Sequence, residues 1–182
     1  VDQRELFITT SVGASTYPTD GSDVETLSRN ASAALRRAKE HGRDNYQLYS
    51  PEMNARAAEQ LSLENRLRQA LQAEQLVLYY QPLIDLKSER IWGAEALLRW
   101  LHPELGILSP SEFVPLAEMS GLILPIGRWV LDAGCAQLRE WQDLGFSDLR
   151  VAVNVSPRQF QQPDFVSDVT SAIEESRISP AS

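Results

Sequence analysis

The sequence is poor in the side chains that bind soft metals or form disulfides: it has one cysteine and two histidines in 182 residues. A single cysteine, Cys135, excludes an internal disulfide framework, and its place on an apolar helical pattern predicts a buried structural thiol. His41 and His102 are too few and too far apart in sequence to indicate a zinc cluster. Any metal would therefore be a hard cation bound by oxygen atoms.

Long apolar runs and an excess of basic charge are also absent. No window approaches 18 uninterrupted apolar residues, which excludes a membrane-spanning helix in this stretch. The chain begins at Val1 without a basic start or a hydrophobic signal core, so we expect a piece of a longer protein. The formal net charge of −8 argues against a surface for polymeric nucleic acid. An anionic ligand would need a local basic group or a bridging metal.

What the sequence does contain is an ordinary globular composition, 43% apolar and 23% charged, enough for one medium domain or parts of two. The stretch 91–100 stands out because apolar residues occupy every second position over its length. Its other face carries Glu95 and Arg99, a carboxylate and a guanidinium about 13 Å apart along a strand. An amphipathic strand with its polar side in water explains this pattern, and so does a binding site.

The first 50 residues predict a strand at 6–13, a turn at 17–21, a helix ending at Gly42 and a short strand at 45–49. Ser22 followed by Glu25 is typical of a capping box at the start of the helix. Lys39 and Arg43 project from neighbouring points near its end. Cations are favoured there by the helix dipole, so the pair indicates either a plain helix ending or an anion contact.

Three segments carry a first family resemblance: Thr10-Ser11-Val12-Gly13-Ala14, the Asp20-Gly21 turn, and Ala34-Leu35-Arg36-Arg37-Ala38-Lys39-Glu40-His41-Gly42-Arg43-Asp44-Asn45. Together they resemble the closing third of a GGDEF domain, the diguanylate cyclase family. The resemblance implies that residues 1–50 are the C-terminal part of such a domain, in which Lys39 and Arg43 contact nucleotide phosphates. Arg36 and Ser32 depart from the family, which often has an aromatic and an acidic residue there. Its metal- and substrate-binding signature loop would lie upstream of Val1, so we expect no cyclase activity.

Residues 51–72 predict one continuous helix that connects two domains. Ser50 and Pro51 are a cap and a first helical residue, and the run that follows contains no glycine. Its narrow apolar stripe suits either packing on a neighbouring domain or pairing with a second copy in a homodimer. The helix is equally well explained as the first packed helix of the domain that follows.

From residue 73 onwards strands alternate with helices, which is typical of β/α units around a mostly parallel sheet. We expect strands at 76–82, ended by Pro82, at 91–100 and at 149–155. Helices are expected up to Met119, up to Gly145 and from Pro163 to Ser176. In such folds ligands bind at the C-terminal ends of the strands.

Polar side chains collect near the ends of those strands: Gln81, Glu95, Arg99, Asn154 and Ser156. Each has an ordinary structural explanation by itself, as a strand-end amide, a turn-forming amide or an ion pair between Glu95 and Arg99. Together they favour a metal that binds an anionic phosphate, because Glu95 and Asn154 offer hard oxygen donors and Arg99 offers a fork of N–H groups.

A second and closer resemblance covers residues from about 61 to the end. Its motifs are Tyr80-Gln81-Pro82, Glu95-Ala96-Leu97-Leu98-Arg99-Trp100, Pro110-Ser111-Glu112-Phe113-Val114-Pro115-Leu116-Ala117-Glu118 with Gly121-Leu122-Ile123, and Asn154-Val155-Ser156. In order and spacing they are similar to the EAL domain family, TIM-like barrels that hydrolyse cyclic di-GMP to linear pGpG with magnesium or manganese. The resemblance implies that Glu95 and Asn154 are metal ligands, that Arg99 contacts phosphate and that Gln81 and Leu97 line the substrate pocket. It also implies two-metal hydrolysis by in-line attack of a metal-bound water.

A complete TIM-like barrel takes about 250 residues, so residues 73–182 are expected to form its N-terminal half. The family's remaining metal-binding carboxylates and its catalytic lysine would lie beyond Ser182. We therefore expect a cytoplasmic phosphodiesterase, in a sensor that is either free or membrane-anchored, of which this chain alone is inactive. A non-catalytic receptor for cyclic di-GMP and a signalling scaffold are the alternatives.

Overall fold

A computed structural model describes residues 8–179, apart from the side chains of residues 56 and 57. It divides into two compact units, Val1–Ser62 and Leu63–Ser182. No helix among the described residues combines the length and apolarity needed to cross a membrane.

The first unit contains strand β1, Val12–Ala14, helix α1, Val24–Glu40, and strand β2, Tyr46–Leu48, which pairs parallel to β1. The expected strand at 6–13 begins outside the described residues. Within them, β1 begins only at Val12 and has three residues. The cap of α1 is Asp23, because its carboxylate accepts a hydrogen bond from the Thr26 backbone N–H at 2.8 Å. The expectation of a Ser22 cap was wrong by one residue.

Helix α2, Pro51–Ala70, is continuous as expected and belongs to the first unit at its start and to the second at its end. In the first unit, Asn54 donates hydrogen bonds to Asn30 and to the hydroxyl group of Tyr49. In the second unit, Leu67 and Ala70 are fully buried in the hydrophobic core. The second compact unit therefore starts within the helix, at Leu63.

The second unit is built on a four-stranded sheet with helices on one side. Its elements are β3 Leu76–Ile84, β4 Ile91–His102, β5 Gly106–Leu108, α3 Pro110–Ser120, α4 Ile123–Asp143, β6 Arg150–Val153, α5 Pro157–Phe160 and α6 Phe165–Ser176. Strand β4 is central: β3 and β5 pair with it antiparallel, and β6 pairs with it parallel. The expectation of a mostly parallel sheet was wrong, because short turns join β3 to β4 and β4 to β5, and short turns join antiparallel strands.

Several expected boundaries also differ. Strand β3 continues through Pro82 to Ile84, since among the described strands it pairs only with β4, and an edge strand tolerates a proline. Strand β6 ends at Val153, before Asn154. The final helix, expected at 163–176, is α6 and begins two residues later than expected. The short helix α5, which was not expected, precedes it and is capped by Ser156 and Gln159.

The apolar face of β4 is buried or half-buried from Ala94 to Trp100 as its alternation predicts, whereas Trp92 at the start of the strand is exposed. Trp100 is fully buried and contacts Phe113 of α3 edge to face, with ring centroids 5.7 Å apart. Helix α4 adds Ile126 and Val130 to the same core. Cys135 is half-buried on α4, and burial raises the pKa of its thiol, as does the negative charge of Asp132. The helices thus cover one face of β4 and leave its other face to carry the polar residues.

Candidate active site

Glu95 and Asn154 meet on the face of the sheet opposite the helices. The amide of Asn154 donates a hydrogen bond from Nδ2 to Oε1 of Glu95 at 2.7 Å, although the two residues are 59 positions apart in sequence. The parallel pairing of β4 with β6 produces this contact, because Glu95 lies beside Ala152 and Asn154 follows two residues later on the same face. Glu95 is half-buried, and Asn154 is exposed.

Gln81 lies directly opposite Glu95 in the antiparallel pairing of β3 with β4. Residues opposite each other in such a pair share a face, so Gln81 and Glu95 point to the same side of the sheet. Leu97 and Arg99 follow Glu95 on that face at two-residue steps. The structure thus places the metal-ligand and pocket residues that the EAL resemblance implies on one surface, with Glu95 and Asn154 in direct contact. These residues are Gln81, Glu95, Leu97, Arg99 and Asn154.

Arg99 does not pair with Glu95. Its Nη1 donates to the backbone carbonyl of Leu98 at 2.8 Å, and its guanidinium carbon lies 5.9 Å from the ring centroid of Tyr79. Tyr79 was not identified in the sequence, although its place opposite Leu97 follows once the β3–β4 register is known. The ion-pair explanation for Glu95 and Arg99 is therefore wrong, and the guanidinium is held beside an aromatic ring instead.

A cavity of about 340 Å³ adjoins Asn154 in the second unit. Most of its lining is apolar and comes from β4, α3 and α4, and the polar groups are Glu118, Asn154, Ser156 and Gln159. Leu97 also contributes to the wall. The cavity lies between the sheet and the helices, and Asn154 is the member of the Glu95–Asn154 pair that lines it.

The donor atoms fit part of the coordination shell of a hard cation. Asn154 donates to Oε1 of Glu95, which leaves Oε2 of Glu95 and Oδ1 of Asn154 as oxygen acceptors at one place. Within residues 8–179 no three or more His, Cys, Asp and Glu side chains gather in a group that would hold a metal. The described residues therefore supply two donors and no complete shell.

Lys39 and Arg43 lie in the first unit, at the end of α1 and in the turn after it. Both are exposed, and Arg43 has a positive backbone φ of 59°. Gly42 before it and Asp44 after it also have a positive φ, so the backbone leaves α1 through left-handed conformations. Both cations are presented on the surface of the first unit.

Sequence comparison identifies the family of the second unit. A family model described as EAL domain matches residues 64–182. This chain belongs to the EAL domain family. The match covers the whole sheet that carries Gln81, Glu95, Arg99 and Asn154.

Individual relatives of this EAL chain are similar over nearly its whole length. It is 44% identical over 181 residues, all of the chain, to the bifunctional diguanylate cyclase/cyclic di-GMP phosphodiesterase MucR of Pseudomonas aeruginosa. It is 42% identical over 175 residues, 96% of the chain, to the cyclic di-GMP phosphodiesterase NbdA of the same organism. The chain spans only 26% of MucR and 22% of NbdA.

Solved EAL structures share the fold. A MucR phosphodiesterase in complex with c-di-GMP is 46% identical, with a TM-score of 0.65 over 66% of this chain and 49% of that one. The EAL enzyme Bd1971, in a form with cAMP and cyclic di-GMP bound, is 30% identical, with a TM-score of 0.65 over 88% of this chain and 42% of that one. The EAL chain therefore matches a little under half of each solved neighbour.

Proposed function

We propose that the protein to which this chain belongs is a metal-dependent phosphodiesterase that hydrolyses cyclic di-GMP to linear pGpG, and that this chain holds the first part of the site. The observation that carries the proposal is the 2.7 Å contact between Glu95 and Asn154 on the polar face of the sheet. Relatives named as cyclic di-GMP phosphodiesterases, and a relative solved with c-di-GMP, support the choice of ligand.

Glu95 and Asn154 are proposed as ligands of Mg²⁺ or Mn²⁺. Their remaining oxygen atoms, one of a carboxyl group and one of an amide, are hard donors, which these cations prefer. When bound, such cations lower the pKa of a coordinated water and stabilise the negative charge that develops on phosphate. Asn154 additionally fixes the Glu95 carboxylate through its N–H, which holds both donors in one place before the cation arrives.

Arg99 is proposed to contact a phosphate oxygen of the substrate. A guanidinium carries five N–H donors, of which one here is directed to the Leu98 carbonyl, and the others can donate to phosphate. Tyr79 restricts where the guanidinium can move, so that the cation is presented on the same face as Glu95. Gln81 and Leu97, one opposite Glu95 and one beside the cavity, are proposed to line the pocket for the substrate.

The second unit is proposed to be the N-terminal half of a TIM-like barrel. The edge strand β3, the parallel β4–β6 pair and the helices on one side of the sheet agree with such a half. Since the described residues supply only two metal donors, we propose that this chain alone does not hydrolyse cyclic di-GMP. The pairing of α2 with a second copy stays a prediction, as does the cytoplasmic location.

The first unit is proposed to be the C-terminal part of a GGDEF domain, with Lys39 and Arg43 as phosphate contacts. The alignment with MucR, which is named a bifunctional cyclase and phosphodiesterase, extends over the whole chain and so includes this unit. The two exposed cations at the end of α1 are placed to meet an anion. No cyclase activity is proposed for the chain.

The test is the Glu95→Ala variant of the full-length protein, assayed for hydrolysis and for binding of cyclic di-GMP in the presence of Mn²⁺. An enzyme loses turnover by at least tenfold, because removal of an anionic ligand weakens the metal site. Glu174→Ala is the matched control, since Glu174 is an exposed carboxylate on α6. A receptor would bind the nucleotide but show no turnover even before substitution, and a scaffold would neither bind nor hydrolyse it. Either result would overturn the proposal.

A further inference from the structure

A buried glutamine lies five residues beyond Asn154. Gln159 is only 7% exposed, and its side-chain Oε1 accepts a hydrogen bond from the backbone N–H of Ser156 at 3.2 Å. The backbone N–H of Gln159 donates in return to the Ser156 hydroxyl oxygen at 3.2 Å. This reciprocal capping box fixes the first turn of α5, which begins immediately after the Asn154–Val155–Ser156 segment.

Gly127 on α4 provides the space that Gln159 occupies. A Cβ atom added to Gly127 would lie under 3.0 Å from three atoms of the Gln159 side chain, closer than real Cβ contacts. Gly134, seven residues further along the same helix, behaves differently, because its added Cβ would meet the Val153 side chain at 3.4 Å, an ordinary contact. The absence of a side chain at position 127 thus matches the position of Gln159 in particular.

Asn154 is held from both sides by these elements. On its N-terminal side Val153 pairs with Ala96 at the end of the β4–β6 ladder. On its C-terminal side the capping box holds Ser156, two residues away. Asn154 is exposed, so little packing around the side chain itself fixes its amide on Glu95. The path of the backbone on either side must supply that restraint.

We propose that Gln159, seated against Gly127, is a positioning residue that holds Asn154 in hydrogen-bonding contact with Glu95. Gln159 acts through the backbone of Ser156 and does not itself reach the Glu95 carboxylate. The importance of this contact for catalysis rests on the proposed function. The contact itself is a property of the fold that can be measured without any activity.

The test observes the Asn154 side-chain amide in the 182-residue chain by ¹H–¹⁵N NMR, with the signal assigned by its loss in Asn154→Asp. Glu95→Ala gives the reference position of an amide that has lost its acceptor. In Gln159→Leu, which keeps the volume but removes the Oε1 acceptor, the signal should shift towards that reference. Gln159→Glu keeps an acceptor for the Ser156 N–H, so in this variant the Asn154 signal should stay at its wild-type position.

Two matched controls separate positioning from general destabilisation. Gln161→Leu makes the same chemical change at an exposed position two residues away and should leave the Asn154 signal in place. Gly127→Ala should shift the signal, whereas Gly134→Ala on the same helix should not. The pair of glycine variants and Gln159→Glu keep the test decisive if Gln159→Leu does not fold.

An Asn154 signal that stays unchanged in Gln159→Leu or in Gly127→Ala would overturn the proposal. A signal that shifts in Gln159→Glu would also overturn it. None of these results depends on turnover. If the Glu95→Ala variant of the full-length protein retained full activity, the proposed function would fail. The positioning role would still stand if the position of the Asn154 signal changed in Gln159→Leu.

Discussion

Glu95 lies opposite Gln81 in the β3–β4 pair and accepts a hydrogen bond from Asn154, which follows the end of β6. Alternation alone identified Glu95 and Arg99 as the polar members of an otherwise apolar strand. It could not show that Asn154 contacts Glu95, because that contact depends on the register of two strands far apart in sequence. Gln159 was missed altogether, although its spacing from Ser156 is the sequence signature of a capping box.

Tyr80 yields a prediction about pH. Its ring packs edge to face on Trp141, and burial, followed by the nearby negative charge of Glu140, raises the pKa of its hydroxyl group to about 12. The folded chain therefore keeps a proton that the unfolded chain loses above a pKa of about 10, so the free energy of unfolding should fall as pH rises from about 10 to about 12. Tyr80→Phe keeps the ring and should lose less stability over that interval. Urea unfolding of both proteins at several pH values measures the difference, and parallel losses would contradict it.

Strand β4 and helix α2 show what sequence patterns establish about elements and what they leave open. The two faces of β4 followed from its period of two, and the continuity of α2 followed from its lack of glycine. The antiparallel pairing of β3 with β4 follows from the six residues between them, because a crossover between parallel strands needs a longer connection. The end of β6 was misplaced by two residues because Asn154 and Val155 continue its alternating pattern.

Helix α2 yields a prediction about which unit its second half stabilises. Leu67 is fully buried in the core of the second unit, and Leu61, on the same helix, is 57% exposed. Leu67→Ala should lower the free energy of unfolding of the second unit by about 2–5 kcal/mol, because it leaves a cavity in that core. Leu61→Ala should change it by less than about 0.5 kcal/mol. Equal effects of the two substitutions in chemical denaturation would show that the helix is not part of the second core.

The whole chain is acidic, with a formal net charge of −8, and its proposed ligand is an anion. Long-range electrostatics therefore do not favour binding, and the site must supply local positive charge. Arg99 is one such group, and a cation at Glu95 and Asn154 would be another. The family match covers residues 64–182, and the chain spans 26% of MucR. These extents agree with the proposal that the chain holds the first part of a larger site.

The most direct measurement uses a chimaera in which residues 64–182 replace the aligned part of the MucR phosphodiesterase, with which this chain is 46% identical. With Mn²⁺ present, the chimaera should convert cyclic di-GMP to linear pGpG. Asn154→Ala should lower its rate at least tenfold by removing a metal ligand, whereas Gln161→Ala should not. A folded chimaera that hydrolyses the nucleotide equally well with and without the Asn154 side chain would contradict the assignment of Glu95 and Asn154 as the metal site.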